Sequence, residues 1–312
     1  MGEDMSPRED RQRAFAERIT RAFPDVRIAT MREMPHVGWG GDSDVWLVNE
    51  ALIMRFPRTT EMAIQLGVEA CLLPRMAPAL PLPVPAFSHV ARDAATGQPQ
   101  CAGYPLIPGE PMTPELLDEL ELDEAARAAL AGVMGGFLAR LHAFPLAQAR
   151  ACGVAEGMRE PEHTRTLYER VREYAYPLLT PAMRVWSDHL FGDALARRDQ
   201  WEYQPALVHG DLSSDHMLFD RATRAITGII DFGDMAIGDP AGDFVGLAPY
   251  GAAFVAGALA DSVGALGALA AERLTFYRKR LPFIALAWGA EHGDEEALAE
   301  GMARLRAVVA GA

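Results

Sequence analysis

The chain has 312 residues, half of them hydrophobic and 23% charged, an ordinary globular composition that can bury a sizeable core in one large domain or two lobes. Its formal net charge of −14 excludes a nucleic-acid binder, because phosphates need a basic face; it suits an ordinary soluble surface or a polycationic small molecule. Lys279 is the one lysine, so nearly all positive charge is arginine.

In chain order, Phe15, Ile19 and Phe23 recur at helical spacing within residues 8–23, and Pro24 ends the run. Strand-like runs follow at 26–31, 45–48 and 52–56. Only Asn49-Glu-Ala51 separates the last two, which predicts a hairpin. A helix is expected over about 61–76, with Ile64, Val68, Leu72 and Leu73 on its apolar face. Pro78, Pro81, Pro83 and Pro85 then exclude a helix. Further strands are expected at 86–91 and 100–107. Beyond Pro108-Gly109 the chain turns rich in Ala, Leu and Glu, with helices over 113–142 and 163–176. This divides it into residues 1–107, a sheet-bearing half with one main helix, and residues 108–312, a mostly helical half. The fold class is α+β. The apolar stretch 252–271 is interrupted by Asp261 and reads as a packed helix pair, not a membrane span.

Cys71, Cys101 and Cys152 are an odd count without C-x-x-C spacing, which predicts buried free thiols in a reducing cytoplasm. The opening MGEDMSPRED lacks an apolar h-region and reads as no secretory signal. It matches the M-G-x-x-x-S myristoylation pattern, but Glu3, Asp4 and the lack of a basic patch make that a chance match. The expectation is a cytoplasmic monomer without membrane or nucleic-acid partners.

The densest chemistry lies in Ala206-Leu-Val-His-Gly-Asp-Leu-Ser-Ser-Asp-His-Met-Leu-Phe219. A short apolar strand ends at His209. A polar loop then holds Asp211, Ser213, Ser214, Asp215 and His216, and a second apolar run begins at Met217. Polar groups on a loop clamped by buried strands are held rigidly enough for catalysis. Ile226-Thr-Gly-Ile-Ile-Asp-Phe-Gly233 is another apolar strand that delivers a carboxylate, Asp231, at its end. Either motif alone is a common turn. Both in this order form the pairing of kinase-like phosphotransferases, in which two aspartates meet at a metal. A zinc site built from His209, Asp211, Asp215 and His216 is a rival reading, but it leaves Asp231 without a role.

On these residues the chain resembles the aminoglycoside phosphotransferase family, whose loop is commonly H-G-D-x-x-x-x-N followed by I-D-F or I-D-W. H-G-D-L-S-S-D-H is the form of its 2''-phosphotransferase branch. Supporting matches run almost end to end: Asp44-Val-Trp-Leu-Val-Asn49, Arg55-Phe-Pro-Arg58, Leu82-Pro-Val-Pro85, Gly103-Tyr104, Ile107-Pro-Gly109 and Ile237-Gly-Asp-Pro-Ala-Gly-Asp-Phe244. The resemblance implies a protein-kinase-like bilobed fold, with a nucleotide-binding antiparallel-sheet lobe over 1–107 and a catalytic, substrate-binding helical lobe over 108–312. It implies transfer of the γ-phosphoryl group of ATP or GTP to an aminoglycoside hydroxyl, with Mg2+, as antibiotic inactivation. A macrolide, a choline-like alcohol or a sugar is the alternative acceptor within the same fold.

Carried over residue by residue, Asp211 is the catalytic base or orienter for the attacking hydroxyl. Asp231 binds Mg2+. His216, five residues after Asp211 where the wider family has Asn, is the companion ligand, although a hard cation prefers oxygen. Arg55 takes the place of the strand lysine on the phosphates, and Glu69 that of its helix partner. Without the resemblance, Arg55 is a surface strand arginine and Glu69 part of a solvated helix face. Ser43, in Gly38-Trp-Gly-Gly-Asp-Ser-Asp44, resembles a loop residue that contacts phosphate; taken alone the segment is a hairpin turn and no G-K-[ST] loop. In Tyr104-Pro-Leu-Ile-Pro108 a purine could bond to the carbonyl of Pro105 and the N–H of Ile107, since prolines cannot donate. His209, Asp239 and Asp243 are expected to brace the catalytic loop. For a polycationic acceptor the candidates are Asp234, Trp288 and Glu291, the last two one helical turn apart.

Overall fold

A computed structural model describes residues 7–34, 43–157, 160–260, 262 and 266–310. The chain forms two compact units. The first comprises Met1–Leu122, Ala147–Val154 and Ser213–Asp234; the second comprises Asp123–Leu146, Ala155–Leu212 and Met235–Ala312.

The first unit is built on a five-stranded antiparallel sheet in the order β1-β2-β3-β5-β4. Its strands are β1 (Met31–Glu33), β2 (Ser43–Val48), β3 (Leu52–Pro57), β4 (His89–Arg92) and β5 (Pro99–Pro105). The expected hairpin forms between β2 and β3, with Val48 opposite Leu52. Its turn holds Asn49 and Glu50 at φ 53° and 51°, a backbone that Asn tolerates better than most residues. Asn49 also corrects the strand expected at 26–31. Its Oδ1 accepts the amides of Ala29 and Thr30 at 2.8 and 3.1 Å, and its Nδ2 donates to Arg27 O at 2.7 Å. Side-chain bonding absorbs those backbone groups, so the ladder starts only at Met31. Helix α1 (Pro7–Ala22) packs Phe15 and Ile19 onto this sheet with Trp46, Val48, Met54 and Phe56.

Helix α2 (Thr60–Met76) is capped by Thr59 and runs through Pro74 near its end. Its buried face is Ala63, Leu66, Glu69, Leu72, Leu73 and Met76. Ile64, expected on that face, is 48% exposed, so the stripe is rotated and includes a carboxylate. A second, three-stranded sheet in the order β6-β8-β9 joins β6 (Glu110–Pro111) to β8 (Met217–Asp220) and β9 (Ala225–Ile229).

The cysteine expectation needs correction. Cys71 on α2 and Cys152, just past α5 (Leu146–Ala151), form a disulfide with Cα atoms 5.5 Å apart. Their separation of 81 residues gives no sequence signal for pairing. Cys101 remains a buried free thiol.

The second unit is mostly helical. The helical stretch expected over 113–142 consists of two helices: α3 (Pro114–Glu119), which belongs to the first unit, and α4 (Glu124–His142). Thr113 and Asp123 each accept a backbone amide at a helix start, and each cap begins its own helix. Helix α6 (Glu162–Arg170) continues into a wider, π-helical turn over Val171–Ala175. Among the described residues further helices are α7 (Pro181–Ala196), α8 (Ala252–Leu259), α9 (Ala270–His292) and α10 (Glu295–Ala310). Of these, α7, α9 and α10 enclose a core of Phe191, Phe276, Phe283, Leu286 and Leu305. Strands β7 (Ala206–Val208) and β10 (Ala236–Gly238) pair antiparallel in the same unit. Among the described residues no helix is long and apolar enough to cross a membrane.

Two glycines on α4 separate packing from propensity. A Cβ on Gly135 would lie 2.4 Å from the Ala258 carbonyl oxygen, whereas Gly132 has nothing within 4 Å. Gly132→Ala is expected to stabilise by up to about 1 kcal/mol through helix propensity. Gly135→Ala gains the same propensity but forces α4 from α8, a net loss of roughly 1–3 kcal/mol. Urea unfolding of the pair checks the opposite signs.

Candidate active site

The first unit gathers most of the residues assigned to phosphate. Arg55 on β3 donates to Glu69 on α2 at 2.7 Å, with side chains 12% and 1% exposed. Both the surface-arginine and the solvated-glutamate readings are thereby excluded. Burial opposes the charge on Arg55, but Glu69, Tyr104 and Asp231 outweigh it and hold the guanidinium pKa above its ordinary value. Tyr104, which sequence reasoning did not assign to the site, has its phenol pushed up to about 12 by burial, against the pull of Arg55. Its place on β5 opposite Ile53 is the structural reason it shares this environment.

Asp231 follows β9 and is exposed, with φ at +63°. Non-glycine residues in that region carry strain of roughly 1–3 kcal/mol and cluster at functional positions. Its Oδ2 lies 3.3 Å from His216 Nε2, and His216 Nδ1 lies 3.3 Å from Ser213 Oγ. The residues proposed as metal ligands are therefore neighbours. Among the described residues no group of three or more His, Cys, Asp or Glu could hold a metal. This leaves the rival zinc set without a cluster. Asp231 supplies the kind of carboxylate that Mg2+ uses beside phosphate and water, whereas the His216 imidazole is a less usual partner for a cation that prefers oxygen.

Ser43 starts β2 and is buried opposite Pro57. Residues 38–42 of its glycine-rich segment lie outside the described residues. Pro105 ends β5 opposite Leu52. The next amide, of Leu106, is committed to Ala51 O at 2.8 Å, and Ile107 is buried. Asp234 is exposed at the end of the Asp-Phe-Gly turn.

In the second unit, β7 leads into His209-Gly210-Asp211. Gly210 has φ +88°, a backbone that favours glycine, and the chain then presents Asp211 exposed. Behind the turn, Asp243 accepts the amides of His209 and Gly210 at 3.0 and 3.1 Å and pairs with His142 Nε2 at 2.8 Å. Asp211's own amide donates to His209 Nδ1 at 3.3 Å. Asp243 and His209 thus brace the loop, while Asp239 does something else: it binds Arg273 and Tyr277 of α9. His142 was missed by sequence reasoning; its position at the C-terminus of α4 carries no motif.

Burial pushes the Asp243 carboxyl up, but hydrogen bonding and charge from His142, then His209, hold it below its usual 3.8. Its stabilisation is therefore complete above that ordinary value and is lost as pH falls through the depressed one. Asp243→Asn is expected to cost roughly 1.5–3 kcal/mol at pH 7. The gap should begin to narrow below about pH 3.8 and close only as pH falls through the depressed folded-state value. Thermal melts across pH check both.

Trp288 and Glu291 both lie on α9, within the second unit. Glu291 is ion-paired with Arg170, and Trp288 stacks on His292 at 3.8 Å between ring centroids.

Residues 34–279 match the model of the phosphotransferase enzyme family. Viomycin phosphotransferase of Streptomyces vinaceus is 29% identical over 224 residues, 68% of this chain and 71% of that protein. The structure of wild-type aminoglycoside 2'-phosphotransferase-IIIa with GDP superposes with a TM-score of 0.84 at 26% identity, covering 96% of this chain and 99% of that one. A macrolide 2'-phosphotransferase from Brachybacterium faecium shares the fold at TM-score 0.69 and 24% identity, over 94% and 97% of the two chains. With most of its length matched by the family, the chain belongs to the phosphotransferase enzyme family.

Proposed function

We propose that this phosphotransferase moves the γ-phosphoryl group of ATP or GTP to a hydroxyl of an aminoglycoside, and so inactivates an antibiotic in the cytoplasm. The observation that carries the reading is the buried Arg55–Glu69 pair in the unit that also holds Asp231 and His216. A permanently charged guanidinium fixed by a carboxylate suits nucleotide phosphates, which it can grip in bidentate fashion.

In this proposal Asp211 accepts the proton of the acceptor hydroxyl, whose oxygen attacks the γ-phosphorus as the bond to the β-phosphate oxygen breaks. Transfer of this kind is loose and charge-spread, so positioning and cations do most of the work. Mg2+ held by Asp231 and His216 would neutralise charge on the phosphates. Arg55 orients the nucleotide, Ser43 contacts it at the glycine-rich segment, and Pro105 and Ile107 receive the purine. The acidic balance of the chain supports a polycationic acceptor, with Asp234, Trp288 and Glu291 as its contacts. Solved aminoglycoside phosphotransferases with kanamycin and gentamicin bound support the same class.

The Arg170–Glu291 pair favours a second reading. It neutralises one of the carboxylates offered to a polycation, which suits a neutral or monocationic alcohol such as a macrolide. A coupled assay of ADP or GDP release with kanamycin-type aminoglycosides, a macrolide and no acceptor separates the readings. Aminoglycoside-dependent release supports the first. Release with the macrolide alone supports the second, and acceptor-independent release defeats both.

A further inference from the structure

We infer that Cys71 and Cys152 form a thiol–disulfide exchange site, with a dithiol reductant as its co-reactant, that governs how firmly α2 holds Glu69 against Arg55. The bond ties α2 to the short segment 147–154 of the same unit. Both cysteines are half-buried, within reach of a small reductant. Arg75, one turn beyond Cys71 and exposed, donates from Nη1 to the Cys71 carbonyl at 2.7 Å, which places its guanidinium beside both Cys71 Sγ and Cys152 Sγ. A guanidinium beside two sulfurs stabilises a departing thiolate and so favours exchange. Cys101 is the internal contrast. It sits in the apolar core, where burial pushes its thiol up to about 11.

The chemistry balances with the dithiol alone. One of its thiolates attacks a sulfur of the Cys71–Cys152 bond, and the other protein sulfur leaves as a thiolate beside Arg75. The second thiol of the reductant then resolves the mixed disulfide and releases the second protein thiolate. Two electrons and two protons pass to the protein, and the reductant leaves as a disulfide. A bond of this kind in a cytosolic protein is usually transient or redox-sensing rather than purely structural. Its functional consequence rests on the phosphate-binding reading, because Glu69 lies two residues before Cys71 on the same helix.

The test compares the full-length protein as oxidised in air with the same protein after dithiothreitol. Thiol titration under denaturing conditions should give one free thiol before reduction and three after. Hydrogen exchange over residues 60–76 should rise on reduction. The KM for nucleotide should increase about fivefold or more, with kcat changed less. Cys152→Ser should behave as the reduced form and ignore dithiothreitol. Arg75→Gln should keep the bond yet reduce several-fold more slowly, as expected when the leaving thiolate loses its cation. Three free thiols after oxidation, unchanged exchange over 60–76, or a Cys152→Ser variant that still responds to dithiothreitol would overturn the inference. If neither form transfers phosphate while the exchange change persists, the exchange site stands and the phosphotransferase reading of the site falls.

Discussion

Replacing Asp211 with asparagine is expected to lower turnover by roughly 10²–10⁴-fold, the range of a lost general base. The substitution keeps size and removes only the proton acceptor. Other groups hold the backbone of the loop: Gly210 supplies the positive φ, and the amides of His209 and Gly210 are held by Asp243. Nucleotide affinity should therefore stay within about twofold of the parent, because an interaction made only in the transition state lowers kcat without changing ground-state binding. The measurement is steady-state turnover together with an independent nucleotide titration. Near-normal turnover would remove Asp211 from the mechanism. A parallel collapse of affinity or melting temperature would show that the residue holds the loop instead.

Glu69→Ala has the largest expected effect on stability. It leaves Arg55, 12% exposed, with its principal counter-charge gone, and breaking such a buried pair from one side costs about 3–5 kcal/mol. Replacing both members by Arg55→Met with Glu69→Met should recover most of that loss, since a matched apolar pair removes two desolvation penalties together. Nucleotide affinity should not recover, because the phosphate-binding cation is absent. Urea melts and nucleotide titrations on the three proteins separate the structural from the ligand-binding role. If the double variant binds nucleotide as the parent does, Arg55 does not touch phosphate. Arg55→Lys should keep the charge and part of the affinity, with a point cation in place of a planar fork.

The legible parts of this chain were those whose signal is local. The hairpin at Asn49, the loop at His209 and the strand ending in Asp231 are each written in consecutive residues, and the family resemblance joins them into one chemistry. What escaped depended on side chains meeting across long separations. Asn49 took the amides that would have made 26–31 a strand, a contact spanning about twenty residues. Glu69 sat among apolar residues on α2, so periodicity placed Ile64 inside and misjudged the helix's rotation. His142 meets Asp243 across 101 residues, with no pattern around either to announce it. The disulfide was hidden in the same way, by a separation of 81 residues. Composition can describe a shift along the chain, but not a compact unit that recruits 147–154 and 213–234 from later sequence.

That recruitment has a consequence for biosynthesis. Strand β6, at residues 110–111, finds its partner only in β8, at residues 217–220. At ribosomal rates the partner emerges on the order of ten seconds later. Until then the nascent chain carries an unsealed apolar surface around β6 while the second unit's α4, α6 and α7 are already being made. The first unit to start is thus completed only after much of the second has been made, and the interval is one in which a chaperone that shields exposed apolar segments would act on this chain.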